Sequence, residues 1–145
     1  MTLAIILAFA LVLLTFSFHY RVLLWLGHHV PRMKLTSQMR VLVVVLVLFV
    51  AHIVEIGFYS AGYAGSILLL DLGSFQGAVV DDVMSYLYYS GVVYTSLGLG
   101  DIYPEGHIRF MTAVETLNGF LLITWSASFT YLAMGRLWPA WSEII

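Results

Sequence analysis

The sequence predicts an all-α integral membrane protein, with three membrane-spanning helices and one short helix that enters the bilayer and turns back. Three observations predict it. Of the 145 residues, 61% are hydrophobic and only 10% charged, against about 45 to 50% and about 25% in soluble domains. The apolar residues gather in three runs, each long enough at about 1.5 Å per residue to cross a hydrocarbon core of about 30 Å. Between the second and third runs, a helical segment too short to cross leads into Ser96-Leu97-Gly98-Leu99-Gly100-Asp101. The net charge of -2 and the scattered basic residues give nucleic acid nothing to bind. The absence of cysteine removes disulfides and thiolate metal sites. No repeat, low-complexity tract or soluble domain is visible.

The first run is uncharged over residues 1–18 and resumes after His19, Tyr20 and Arg21 with Val22-Leu23-Leu24-Trp25-Leu26. A cleavable signal peptide is the rival reading, but neither a basic n-region nor an A-x-A-like site accompanies the run. A retained helix is therefore expected, and residues 1–40 form an N-terminal span with a basic connection. That connection holds Pro31, Arg32, Lys34 and Arg40, with Arg21 just before it. Four of the six basic residues on one side assign it to the cytoplasm. His28 and His29 lie beside Trp25 and read as headgroup-level residues before they read as ligands.

The second span is expected over residues 41–59. His52 and Glu55, three apart, share a helical face. An intramembrane carboxylate is a functional hypothesis by default, but here Glu55 is expected near the outer interface, held by His52 or a neighbouring segment. Residues 60–80 read as an outer loop, rich in glycine and carrying Asp71 ahead of Asp81 and Asp82. Three acids without a Lys or Arg suit the non-cytoplasmic side.

Asp81 or Asp82 can cap a helix over residues 82–94. Its three turns, about 18 Å, cannot span, so the segment must re-enter and end inside the bilayer. Irregular backbone at that depth survives only where protein buries it or it lines water. The end of the helix carries a partial negative charge of about half an electron, which favours a cation beyond it. Over residues 95–101, Gly98 and Gly100 allow dihedrals that side chains forbid, so successive carbonyls can face one axis. Ser96 adds a hydroxyl at one end of that row and Asp101 a carboxylate at the other. Pro104 prevents a helix from continuing, and Arg109 precedes the third span, residues 110–137, which closes with Arg136 and the interfacial residues Trp138 and Trp141.

Thr95 through Asp101 resembles the pore loop of potassium channels, whose usual filter reads T-V-G-Y-G-D. Gly98, Gly100 and Asp101 are retained; Ser96, Leu97 and Leu99 replace threonine, valine and tyrosine. The resemblance covers roughly residues 41–137 and makes residues 41–145 a pore domain, with the first helix added to a minimal two-helix pore. It implies a homotetramer in which Ser96, Leu97, Gly98, Leu99 and Gly100 replace the hydration shell of K+, supported by Thr95 and Asp101. Tyr88 and Tyr89 align with the aromatic positions that brace the filter. Glu115-Thr116-Leu117-Asn118-Gly119 resembles the E-x-x-x-G opening of the pore-lining helix, which makes Gly119 a hinge candidate. No cofactor or catalysis is implied beyond the permeating cation. The expected setting is the cell (inner) membrane, multi-pass and in contact with lipid, with the N-terminus outside and the C-terminus cytoplasmic.

Leu99 removes the hydroxyl that ties such filters to their aromatic cuff, so weakly selective monovalent cation conduction is the first alternative. A G-L-G-D loop does occur in the second pore loop of some two-pore-domain potassium channels. Two remoter readings are a nonconducting accessory subunit and an intramembrane aspartyl protease of the presenilin type, which shares G-x-G-D. The protease reading lacks a Tyr-Asp pair, a Pro-Ala-Leu motif and an obvious second intramembrane aspartate. No arginine ladder marks a voltage sensor, and His107 beside the mouth is a candidate for pH sensitivity.

Overall fold

The computed structural model describes residues 1–78, 80 and 82–137. Asp81, one of the two expected caps, and the interfacial candidates Trp138 and Trp141 lie outside the described residues. The order of elements is α1 (Thr2–His29), a 3-10 turn (Val30–Arg32), α2 (Ser37–Leu68), β1 (Gly73–Gly77), α3 (Val83–Tyr94), β2 (Ile102–Gly106) and α4 (Ile108–Leu137). Three of the helices, α1, α2 and α4, are long and apolar enough to cross a membrane. The architecture is that of an all-α membrane protein carrying one small β ribbon.

Apolar composition makes the long helices, and small or polar residues decide how they meet. α1 buries the stripe Ala4, Ala8, Thr15, His19, Leu23 and Leu26 against α2 and α4. Only 22% of the most apolar window of each long helix is buried within the chain. The remaining apolar surface would be untenable in water and is suited to lipid or to further copies. Two apolar cores form. One gathers Ala4, Ala8, Tyr59, Tyr63, Tyr89, Tyr94, Ile108 and Met111, and the other Leu23, Leu26, Val30, Val44 and Leu48.

The structure corrects the expected end of the second span. α2 continues to Leu68, so the stretch from Ser60 to Leu68 is helix and not loop. Gly62 in it serves close packing: a Cβ there would stand 2.6 Å from the Leu11 side chain of α1. Small residues are tolerated in membrane helices for this purpose. The longer helix also moves Glu55 from the expected interface to nearly midway along α2, where it is fully buried.

The ribbon is not legible in the sequence because glycine and proline take two of the five positions in each strand. β1 and β2 pair antiparallel, Gly73 opposite Gly106 and Gly77 opposite Ile102. This joins the segment before α3 to the segment after the glycine loop. Phe75 of β1 stacks on Tyr89 with ring centroids 4.2 Å apart.

α4 runs unbroken through the hinge candidate Gly119. A Cβ there would lie 2.2 Å from the backbone oxygen of Tyr94, the last residue of α3. Gly119 therefore lets α4 pass against the end of the short helix. Gly119→Ala is expected to destabilise the purified protein by about 1–3 kcal/mol through overpacking. Gly57→Ala, where a Cβ meets nothing within 4 Å, should leave stability unchanged or raise it. Thermal unfolding in detergent measures both, and equal midpoints for Gly119→Ala and the parent would contradict the contact.

Candidate functional site

The site begins at the N-terminus of α3. Asp82 accepts hydrogen bonds from the Ser85 hydroxyl and the Ser85 backbone N–H, each 2.7 Å. These hold its carboxyl below the usual carboxylate range. Asp82, of the two candidate caps, starts the helix.

α3 is fixed from the side by two carboxylates on different helices. The Ser90 hydroxyl donates to Glu115 Oε1 at 2.6 Å, and Tyr63 donates to Glu115 Oε2 at 2.5 Å. One turn further along, Tyr94 donates to Glu55 Oε2 at 2.5 Å. Ser90 and Tyr94, four residues apart, share one face of the helix. Glu55 also meets His19 Nδ1 at 2.8 Å and His52 Nδ1 at 2.9 Å, while His52 Nε2 and His19 Nε2 converge on Ser126 Oγ at 3.0 and 3.2 Å. Every helix contributes to this buried polar layer. A lone buried carboxylate in the bilayer would be costly, and the bonds supply what water cannot.

Beyond Tyr94 the chain folds back on the end of α3. The N–H groups of Leu97 and Gly98 both point to the Val92 oxygen, at 3.0 and 3.3 Å, and Ser96 N–H donates to Val93 O at 2.9 Å. The Thr95 hydroxyl donates to Gly91 O at 2.7 Å. The loop then alternates in handedness: φ is +60° at Ser96, +58° at Gly98 and +78° at Gly100, while Leu97 and Leu99 are not among the residues with positive φ. A regular strand points its carbonyls alternately to two sides, whereas dihedrals of alternating sign turn successive carbonyls to one side. Among the described residues nothing lies within 4 Å of a Cβ built on Gly98 or Gly100. The glycines are needed there for their dihedrals and not for space. Ser96 takes the same left-handed conformation without that freedom, at a cost on the order of 1–3 kcal/mol.

Residues 95–101 are all exposed within the single chain, Leu97 at 62% and Leu99 at 57%. At the far end, Tyr88 donates to Asp101 Oδ2 at 2.6 Å, and Ala78 N–H donates to Asp101 O at 2.8 Å. β2 starts at once after Asp101. The loop is thus held at one end by the helix and at the other by a phenol and the ribbon.

The sequence-derived residues separate into groups. Ser96, Leu97, Gly98, Leu99, Gly100 and Asp101 form one continuous exposed strip. Tyr88 reaches the end of that strip, but Tyr89 turns away: its hydroxyl lies 2.9 Å from Thr112 Oγ1, and its ring packs on Tyr63 and Phe75. Thr95 spends its hydroxyl on α3. Sequence reasoning missed His19, Ser90 and Tyr63 altogether. His19 had a legible signal, a polar side chain four residues after Thr15 on the stripe that α1 buries. Ser90 and Tyr63 had none, since either reads as an ordinary helix residue.

A re-entrant helix joined to a glycine loop of alternating handedness, between two spanning helices, defines a pore-loop membrane protein. The family model described as "Ion channel" matches residues 42–134. The chain belongs to this family of potassium-channel-like pore-loop proteins. No curated protein and no solved structure matches it.

The Tyr88 hydrogen bond holds the Asp101 carboxyl below the usual carboxylate range. The depressed value means that the contact is complete above that range and is lost as pH falls through the titration of Asp101. In Tyr88→Phe the Asp101 titration should move up toward the ordinary carboxylate value of about 3.9. Carbon-13 NMR of labelled aspartate follows it, and an unmoved midpoint would show that the phenol does not set it.

Proposed function

We propose that the protein is a passive cation channel, conducting K+ through a filter made by residues 96–100 of four identical chains. The observation that carries this reading is the alternation of backbone handedness at Ser96, Gly98 and Gly100, directly after a helix that ends between the spans. Carbonyls turned to one side and repeated around an axis replace the hydration shell of a monovalent cation. The exposure of the whole strip supports assembly, because one chain leaves it unpaired and four would enclose it. Asp101 at the end of each strip adds negative charge at the mouth.

The polarity of the bundle supports the orientation. The start of α1 lies by Gly106, His107 and Arg109, at the loop end. Leu26, Val30 and Arg136 gather at the other end, toward the connection with Arg32, Lys34 and Arg40. Basic residues on that side favour a cytoplasmic position for it, with the filter mouth outside.

Weak selectivity among monovalent cations is the second reading, favoured by one observation. Leu99 stands exposed and has no hydroxyl to tie the filter to α3, so the side-chain brace at its outer end is the Tyr88–Asp101 bond. The protease reading is disfavoured by the place of Asp101, outside every spanning helix at the entry to β2.

Reversal potentials in planar bilayers under opposed K+ and Na+ gradients test the proposal. A reversal near the K+ equilibrium value is expected, with current lost in Gly98→Ala. The cost of a left-handed alanine is about 1–2 kcal/mol, imposed in every subunit. A reversal near zero that follows both cations would establish the weakly selective pore. Full current in Gly98→Ala would contradict the carbonyl filter.

A further inference from the structure

The buried layer around Glu55 contains more hydrogen-bond contacts than its neutral histidines can supply with protons. Five contacts, each needing its own proton, link the cluster into a ring: His19 Nδ1 to Glu55 Oε1, His52 Nδ1 to Glu55 Oε2, Tyr94 Oη to Glu55 Oε2, His52 Nε2 to Ser126 Oγ, and Ser126 Oγ to His19 Nε2. His52 Nδ1 also lies 2.9 Å from Tyr94 Oη, so its one N–H is shared between the carboxylate and the phenol oxygen. A carboxylate brings none, each neutral imidazole brings one, and Tyr94 and Ser126 bring one each. That makes four, and the ring has net charge −1. One further proton satisfies all five contacts and makes the ring neutral, as a carboxylate with one imidazolium or as an acid with two imidazoles. His19 and Glu55 are fully buried, and His52 is only 17% exposed in its side chain, so a neutral ring is strongly preferred to an anionic one.

We propose that His19, His52, Glu55, Tyr94 and Ser126 form a binding site for a single proton, and that its occupancy sets the position of the end of α3. The groups facing the ring are His19 from α1, His52 and Glu55 from α2, Tyr94 from α3 and Ser126 from α4, with the Trp125 ring 5.6 Å from His19. Tyr59 and Glu115 are the next ionisable groups. Neither makes a hydrogen bond to the ring: Glu115 is bonded to Tyr63 and Ser90, and Tyr59 Oη has no hydrogen-bond partner among the described residues. Tyr94 transmits the state of the ring, since it is both a member and the last residue of α3, against whose oxygen Gly119 packs. Loss of the proton leaves one contact empty and a buried negative charge beside that helix end. His19 is a positioning residue, joining α1 to the pore without touching the ion path.

Glu55→Gln separates this proposal from a purely structural role. The amide can donate to His19 Nδ1, His19 to Ser126, Ser126 to His52, and His52 and Tyr94 to the amide oxygen. All five contacts then close among neutral groups, with one amide N–H left over and no additional proton bound.

The first measurement is nitrogen-15 NMR of histidine in the purified full chain in lipid nanodiscs, which needs no current and so stands apart from the channel reading. One proton per chain, whose release as pH rises changes the protonation or the tautomer of His19 and His52, is expected in the parent and absent in Glu55→Gln. Two imidazoles that keep both protonation and tautomer from about pH 5 to 9, or the same titration in Glu55→Gln, would overturn the site. The second is the pH dependence of current in a His107→Ala background, and this arm rests on the channel reading. Glu55→Gln should conduct and lose a pH-dependent component that the parent shows. Identical pH profiles would overturn the coupling to α3. If neither protein conducts while the NMR titration is as expected, the proton site stands and the channel reading fails.

Discussion

A short helix that stops between membrane spans has to be pinned from the side, and here two buried carboxylates do this. Glu115 of α4 holds Ser90, and Glu55 of α2 holds Tyr94, one turn apart on the same face of α3. Without these bonds, the face of α3 that carries Ser90 and Tyr94 would depend largely on apolar packing. Such packing is weakly directional in a bilayer, because lipid tails are as apolar as the side chains that would leave them. Removing one partner so that a buried acceptor is left unsatisfied typically costs about 1–3 kcal/mol. The two acids therefore fix a geometry that leucine and valine could only approximate.

The loop inherits its position from that helix. Val92 and Val93 oxygens anchor the N–H groups of Ser96, Leu97 and Gly98, so the first left-handed residue follows immediately from the helix end. At the other end the Tyr88–Asp101 bond and the β1–β2 ribbon prevent the strip from folding away. The strip is rigid at both ends and open along its length. That combination suits the proposed role of the strip as an ion path between copies of the chain.

α1 belongs to this scheme. Its Thr15 accepts from Asn118 of α4 at 2.8 Å, and its His19 completes the contacts of Glu55. An added helix that only faced lipid would need neither. The sequence made the spans, the short re-entrant helix and the glycine loop legible, because length, hydropathy and glycine spacing are local properties. It did not make the anchors legible. Glu55 reads as an interfacial residue until α2 is known to extend to Leu68, and Ser90 acquires a role only when Glu115 is brought across from α4. The ribbon was hidden for a related reason: Gly73, Gly77, Pro104 and Gly106 read as turns, and their pairing depends on a contact across the whole of α3.

The central claim is that a strip placed by buried carboxylates becomes an ion path when copies assemble around it. Cryo-electron microscopy of the purified protein in K+ tests this most directly. The account predicts four chains around one axis, with residues 96–100 facing it and ion density between their carbonyl oxygens. A monomer, or an assembly in which Gly98 and Gly100 face lipid, would contradict it.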